Sequence, residues 1–436
     1  MRKRTRKAVA IGFVLSLPAL PMGPVSRALE AGSQLPFEQV ARDLASPEIA
    51  TRLKAVRLMK EAAYPEAAAS LSALVTDPDD AVQIEAIAAE LNIFLAEKVV
   101  PRKRIGYVIE VRNEIVPEVA FFAGPLALGS QPVPMSVLTA LRTAIRDDNA
   151  AVGLDALYAF GVLGVVAGGA ERVELLRATG PELAAMLGSP SAAFRLAALR
   201  VAGRLFEKRP GDEPIDQALG DAVIMVLNDP DKNVQIAAMQ TLGATRYDRA
   251  VQALTDLFRY YGRGVPAEAA LDAVARIGHP TCVPLLTSQL SGRNGVMKGI
   301  AVEGLARAGD RATLTDIQAA LSGERSGGIL LAGQFAAAMR NGAPIDPIVE
   351  ALGRERLRDQ ARQYLVELAP GRTEAFSRQA QDPDARRRSD TADVLGLAGD
   401  PAALSIVEPL LKDRDPQVVL AAERAARRLR SARHAG

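Results

Sequence analysis

The chain has 436 residues, 49% of them hydrophobic, yet only 4% are aromatic and none is tryptophan. Alanine and leucine therefore supply the apolar surface, which suits helix packed closely on helix and excludes a β-sandwich rich in aromatic and β-branched residues. Residues 1–28 hold six basic side chains and no acidic one, and the remainder carries 47 basic against 51 acidic groups, a balance with no electrostatic footprint for nucleic acid or an anionic membrane.

The first element is the N-terminal segment. A basic stretch, Met1 to Lys7, is followed by an apolar run from Ala8 to Leu20 and a small-x-small site at Ser26-Arg27-Ala28. Pro18, Pro21 and Pro24 keep the apolar run well short of the roughly 20 residues that span a bilayer. Residues 1–28 are expected to be a secretory signal peptide, with the exported chain beginning near Leu29. A retained membrane anchor is the alternative. No cysteine lies near the site for lipid attachment.

From there one unit recurs. A weak copy begins near Ser46-Pro47, and a clear one reads Asp77-Pro78-Asp79-Asp80-Ala81-Val82-Gln83-Ile84. Residues 97–135 then break the rhythm, with Phe121-Phe122 and many β-branched residues in a chain poor in both. They are expected either as an extra packed segment or as a partner-specific insertion, since insertions in repeat arrays map onto one face. Weak copies resume at Asp147 and Ser189-Pro190. The clearest runs from Asp229 to Gly243.

In that unit Asp229 is read as the helix N-cap, Pro230 as a first-turn residue and Gly243 as the helix end. Val234, Ala237, Ala238, Thr241 and Leu242 share one face. Lys232, Ile236, Met239 and Gln240 are then expected to point outward, as a surface for a partner. Helix-ending glycines are read at Gly243, Gly278, Gly309, Gly342, Gly371 and Gly399, with Gly161 and Gly203 earlier. Between them lie second apolar helices, Val251 to Phe258, Val283 to Leu290, Leu314 to Leu321, Ile345 to Leu352 and Leu404 to Leu411. Further copies start at Asp382 and Asp415. The last helix, about 416–431, reads as a cap whose Arg424, Arg427, Arg428 and Arg430 face water, with an anionic partner for these arginines as the alternative. A lone hairpin cannot bury its stripe, so the units must stack into an all-α superhelical solenoid over residues 29–436.

This pattern resembles the HEAT repeat family, including its bacterial branch related to phycobilin-lyase subunits. The family pairs the first Asp of a unit with an Arg six residues on, forming a ladder between repeats. That position here carries Arg52, Gln83, Gly153, Arg195, Gln235, Lys298, Arg358 and Arg388, so the ladder is partly degenerate and its basic members are read as structural. The resemblance implies an extended surface for a protein partner. It also leaves open a chromophore-lyase or other modifying activity.

Residues for chemistry are sparse. The two histidines, His279 and His434, form no His-Glu pair of the kind used by HEAT-like di-iron hydroxylases. Cys282, the single cysteine, lies near His279 but is read as a small buried hydrophobe. No Walker or Rossmann phosphate loop is present. The expectation is an exported, non-enzymatic, monomeric scaffold. It needs no cofactor, metal or disulfide, contacts no nucleic acid, and inserts in no membrane after cleavage. Its site residues are Phe121, Phe122, Lys232, Ile236, Met239 and Gln240.

Overall fold

The computed structural model describes residues 37–96, 115–166, 169–209, 212, 215–309 and 311–435. The signal-like segment and residues 97–114 of the insertion lie outside them. Helices come in pairs, an outer one followed by an inner one. The array opens with α1 (Phe37–Asp43) and α2 (Ile49–Ala62), then α3 (Ala68–Leu71) and α4 (Asp80–Phe94). An extra helix, α5 (Pro117–Ala123), intervenes. The pairs resume as α6 (Met135–Ala144) with α7 (Ala150–Leu163), α8 (Gly169–Met186) with α9 (Ala192–Leu205), and α10 (Gln217–Met225) with α11 (Lys232–Ala244). They continue as α12 (Val251–Tyr261) with α13 (Val265–Ile277), α14 (Val283–Leu290) with α15 (Gly295–Ala308), and α16 (Thr313–Leu321) with α17 (Gly327–Asn341). The end is formed by α18 (Asp346–Ala351) with α19 (Arg358–Leu368), then α20 (Ala385–Ala398), α21 (Leu404–Val407) and α22 (Pro416–Ala435). Apart from one isolated bridge, Leu95 to Leu128, the described residues contain no β-structure.

Helices α4, α11 and α20 each start through two acidic residues with separate tasks. Asp79, Asp231 and Asp384 are the N-caps, accepting from Ala81, Asn233 and Arg386 amides. The preceding Asp77, Asp229 and Asp382 instead accept from the amide two residues on, at 2.8–2.9 Å, and turn the chain. The expected cap at Asp229 is therefore two residues early, and Pro230 lies before the helix. The first Asp is kept for the ladder. Arg52 grips Asp77 through two bonds of 2.8 Å. Arg195 grips Asp229 at 2.6 and 2.9 Å, and Arg388 grips Asp413 at 2.7 and 2.8 Å. The third guanidinium nitrogen donates to carbonyls opening the arginine's own repeat, Ser46, Ser189 or Asp382. Such forked contacts fix the angle between neighbours. These arginines are structural, as the spacing implied. Gln83 extends the ladder to Asp147 at 2.8 Å, so units separated by the insertion are stacked neighbours.

Consecutive inner helices pack side by side from α7 to α17, and α20 packs tightly on α22. Small residues set that distance. Gly243 lies inside α11 rather than ending it, and is kept small by α13: an added Cβ would sit 2.8 Å from the Ala273 Cα. Gly278, Gly342 and Gly399 do end their helices in the left-handed conformation, at φ 69°, 68° and 76°. Gly161 and Gly203 are helix-interior like Gly243.

The inner face curves until distant repeats touch. Arg246, just past α11, donates to Glu367 of α19 at 2.8 Å, and the buried Arg307 of α15 meets the same carboxylate at 2.7 Å. Tyr364 of α19 stacks on Phe335 of α17, ring centroids 4.3 Å apart, and donates to Glu303 of α15.

Curvature also brings the C-terminal helix back to the insertion. The neck of the insertion is closed by Ala96 N to Ala127 O, 2.7 Å, and Gly129 N to Phe94 O, 2.8 Å. Beyond that neck, Arg424 donates to Leu128 O and Arg427 to Ser130 O, while Ser130 Oγ donates to Glu423. The arginines of α22 are thus not a solvated outer cap. Arg424 is buried and forked onto Asp393, and among the four only Arg430 is largely exposed. The helix serves as a clasp because the chain curves back on itself, which one repeat's pattern does not encode.

Candidate protein-binding surface

The insertion delivers α5 onto α7 and, through Arg200 and Arg204, onto α9. Pro117 suits a helix first turn, and Gly124, at φ 85°, stops the helix after Ala123. The two adjacent phenylalanines separate by helical geometry. Phe121 is 3% exposed, its ring 5.5 Å from that of Tyr158, in space left by Gly161, whose added Cβ would come within 2.9 Å of that ring. Phe122 is 57% exposed. Both are backed by cations one helical turn apart on α9: the Arg204 guanidinium lies 3.5 Å above Phe121, and that of Arg200 4.8 Å from Phe122. A guanidinium stacks on an aromatic face through the ring quadrupole.

A polar lattice anchors the helix. Arg200 donates to Glu118 at 3.1 Å and to the Tyr158 hydroxyl at 3.0 Å, and that hydroxyl donates to Glu118 at 3.3 Å. Arg204 donates to the Phe121 carbonyl at the end of α5, where the helix dipole favours a cation. Burial brings the Arg204 guanidinium down to about 10 and raises the Tyr158 hydroxyl above its ordinary range. Val116 and Val119 are exposed with Phe122, giving α5 an apolar outer face.

The expected site residues are only partly united. Phe121 and Gln240 line one shallow hollow of about 320 Å³, with Arg200, Arg204, Asp272 and Arg276 also on its wall. Lys232 is exposed at the start of α11, away from those lining residues. Ile236 is half-buried and Met239 is fully buried, so neither projects freely. An inner helix has neighbours on three sides, and a two-face reading of its sequence leaves out the flanks. Phe121 is likewise core. Arg200, Arg204 and Glu118 were missed, although the i, i+4 spacing of the two arginines was legible.

The features considered for chemistry are otherwise engaged. His279 Nδ1 lies 2.8 Å from the Thr281 hydroxyl and accepts from the Thr281 amide. Cys282 is 2% exposed and its thiol is pushed up by burial. The side chain of His434 lies outside the described residues. Among the described residues no helix is long and apolar enough to cross a membrane.

Residues 180–262 match the family model for HEAT repeats. No curated protein matches the sequence. Similar solved structures include an engineered protein, 18% identical, covering 90% of this chain and 98% of its own, with a TM-score of 0.42. A designed armadillo repeat protein is 16% identical over 63% of this chain and all of its own, at 0.36. Another, solved in complex with the peptide (KR)4, is 15% identical over 62% of this chain and 99% of its own, at 0.38.

Proposed function

We infer that this chain, a HEAT-like repeat protein, is an exported, non-enzymatic scaffold holding a protein partner on the inner surface around α5. The observation that carries the reading is the exposed Phe122, mounted on Arg200 and flanked by Val116 and Val119, on a helix pinned at both ends. An aromatic anchor held rigid before binding loses little freedom on contact, and such anchors dominate interface energies. Export rests on the basic, apolar and small-residue order of residues 1–28. The absence of an enzymatic role is supported by the buried Cys282 and by aspartates already used in caps and ladder pairs.

Replacement of Phe122 by the photoreactive p-benzoylphenylalanine, with the same replacement at the exposed Gln252 of outer helix α12, tests the surface. Cross-linking in intact cells should give one discrete protein adduct from position 122 and none from 252. Equal adducts from both, or none from 122, would refute the assignment.

A further inference from the structure

The hollow beside α5 has three arginines on its wall, and one of them lacks a carboxylate. Arg200 is paired with Glu118 at 3.1 Å and Arg276 with Asp272 at 2.8 Å. Arg204 forms no ion pair among the described residues. Its guanidinium lies over the Phe121 ring and its Nη1 donates to the Phe121 carbonyl. Its Nε and Nη2 have no partner among the described residues, and neither is sealed away from solvent. Gln240, exposed on α11, shares the wall.

The ladder shows what completes this arrangement. Arg52, Arg195 and Arg388 each donate from Nη1 to a backbone carbonyl, and each grips an aspartate with the edge formed by Nε and Nη2. That edge offers two parallel N–H groups at the spacing of the two carboxylate oxygens. Arg204 has the carbonyl and lacks the aspartate. Phe121 already fixes the guanidinium, so gripping an incoming carboxylate costs little further freedom. Glu118 and Asp272 neutralise the other two arginines, which leaves charge for one carboxylate and repels a doubly charged phosphoryl group.

The apolar anchor adjoins this edge. The Phe122 ring is 5.7 Å from that of Phe121, and Arg200, which backs Phe122, also lines the hollow. In an extended segment, alternate side chains share a face at a spacing of about 7 Å. We propose that the hollow between α5, α9, α11 and α13 receives an aspartate or glutamate side chain of the protein partner, forked by Nε and Nη2 of Arg204, with an apolar residue two positions away resting on Phe122. The proposal rests on the α5 surface assigned above and names the chemistry that surface selects.

The test is fluorescence anisotropy of the purified full chain with a fluorescein-labelled peptide, two copies of Ile-Thr-Glu-Thr, against its counterpart with glutamine for each glutamate. The parent should bind the glutamate peptide saturably and the glutamine peptide at least tenfold more weakly. Gln240→Glu, at an exposed position, offers Arg204 a carboxylate from within the chain and should erase that preference. Arg204→Lys keeps the charge and loses the fork, and should weaken the glutamate peptide at least tenfold. Circular dichroism reports whether this variant folds, and Gln240→Glu decides the matter if it does not. No preference for glutamate in the parent, or a preference that survives Gln240→Glu, overturns the proposal. A cross-link from position 122 alongside that result leaves the α5 surface standing without its acidic site. Glutamate preference with no cross-link from 122 upholds the carboxylate site and refutes the α5 surface instead.

Discussion

Replacing Gly396 by alanine sets two physical effects against each other. In a solvated helix interior, Gly→Ala stabilises by up to about 1 kcal/mol, because glycine loses more backbone freedom on folding. Gly396 lies in α20, where an added Cβ would sit 2.6 Å from the Ala425 Cα and 2.7 Å from its Cβ on α22. Backbone cannot rotate aside, so α22 must retreat, loosening the Arg424 fork on Asp393. Overpacking of this kind costs about 1–3 kcal/mol, leaving a net loss of up to about 2 kcal/mol once a propensity gain of about 1 kcal/mol is offset. Gly299→Ala is the matched control: in α15 the added methyl meets only Ile329 Cγ1, at 3.8 Å, and should stabilise by up to about 1 kcal/mol. Urea unfolding followed by helical circular dichroism ranks the two variants, and hydrogen exchange shows whether the loss is local to α20 and α22, since repeat arrays unfold in parts. If Gly396→Ala gains as much stability as Gly299→Ala, the close approach of α20 and α22 is wrong.

Three further outcomes follow from buried groups. Arg195→Ala should lower the thermal midpoint and remove part of the acid dependence. The Arg195 bond holds the Asp229 carboxyl below its ordinary value, so the parent's advantage is full above the unfolded value of about 3.9 and is lost as pH falls through the lower folded one. Calorimetry between pH 5 and 2 checks this, and an unchanged pH profile in the variant counts against the ladder. Glu90 is fully buried, has no partner for either oxygen, and is pushed by burial up to about 9. The folded state therefore keeps a proton that the unfolded state releases, and stability should fall by at most about 1.4 kcal/mol per pH unit between roughly pH 4.3 and pH 9. Glu90→Gln should flatten that slope, as denaturant titrations at pH 5, 7 and 9 would show. The buried Cys282 should react with an aromatic disulfide reagent only after denaturation, and rapid native labelling would place it at the surface.

The sequence by itself determined the repeat, because the clearest inner helices, α4, α11 and α20, each carry their own start signal and apolar stripe within one short stretch of chain. Local chemistry also marked the second helices, the left-handed ends at Gly278, Gly342 and Gly399, and the structural nature of Arg52, Arg195 and Arg388. It could not settle which of two aspartates two residues apart is the cap, since both bond backbone amides and only the ladder partner, a repeat away, separates their roles. Met239 and Gly243 show the same limit: one is buried and the other kept small by a neighbouring helix that their own stripe does not describe. Phe121 and Phe122 read alike in sequence, and tertiary packing against Gly161, Tyr158 and α9 made one core and left one exposed. The arginines of α22 changed role most. Their pattern alone reads as a wet cap, but small rotations between repeats add along the array and return the last helix to the insertion neck. That sum is a property of the whole chain, and it turned a terminal helix into a clasp.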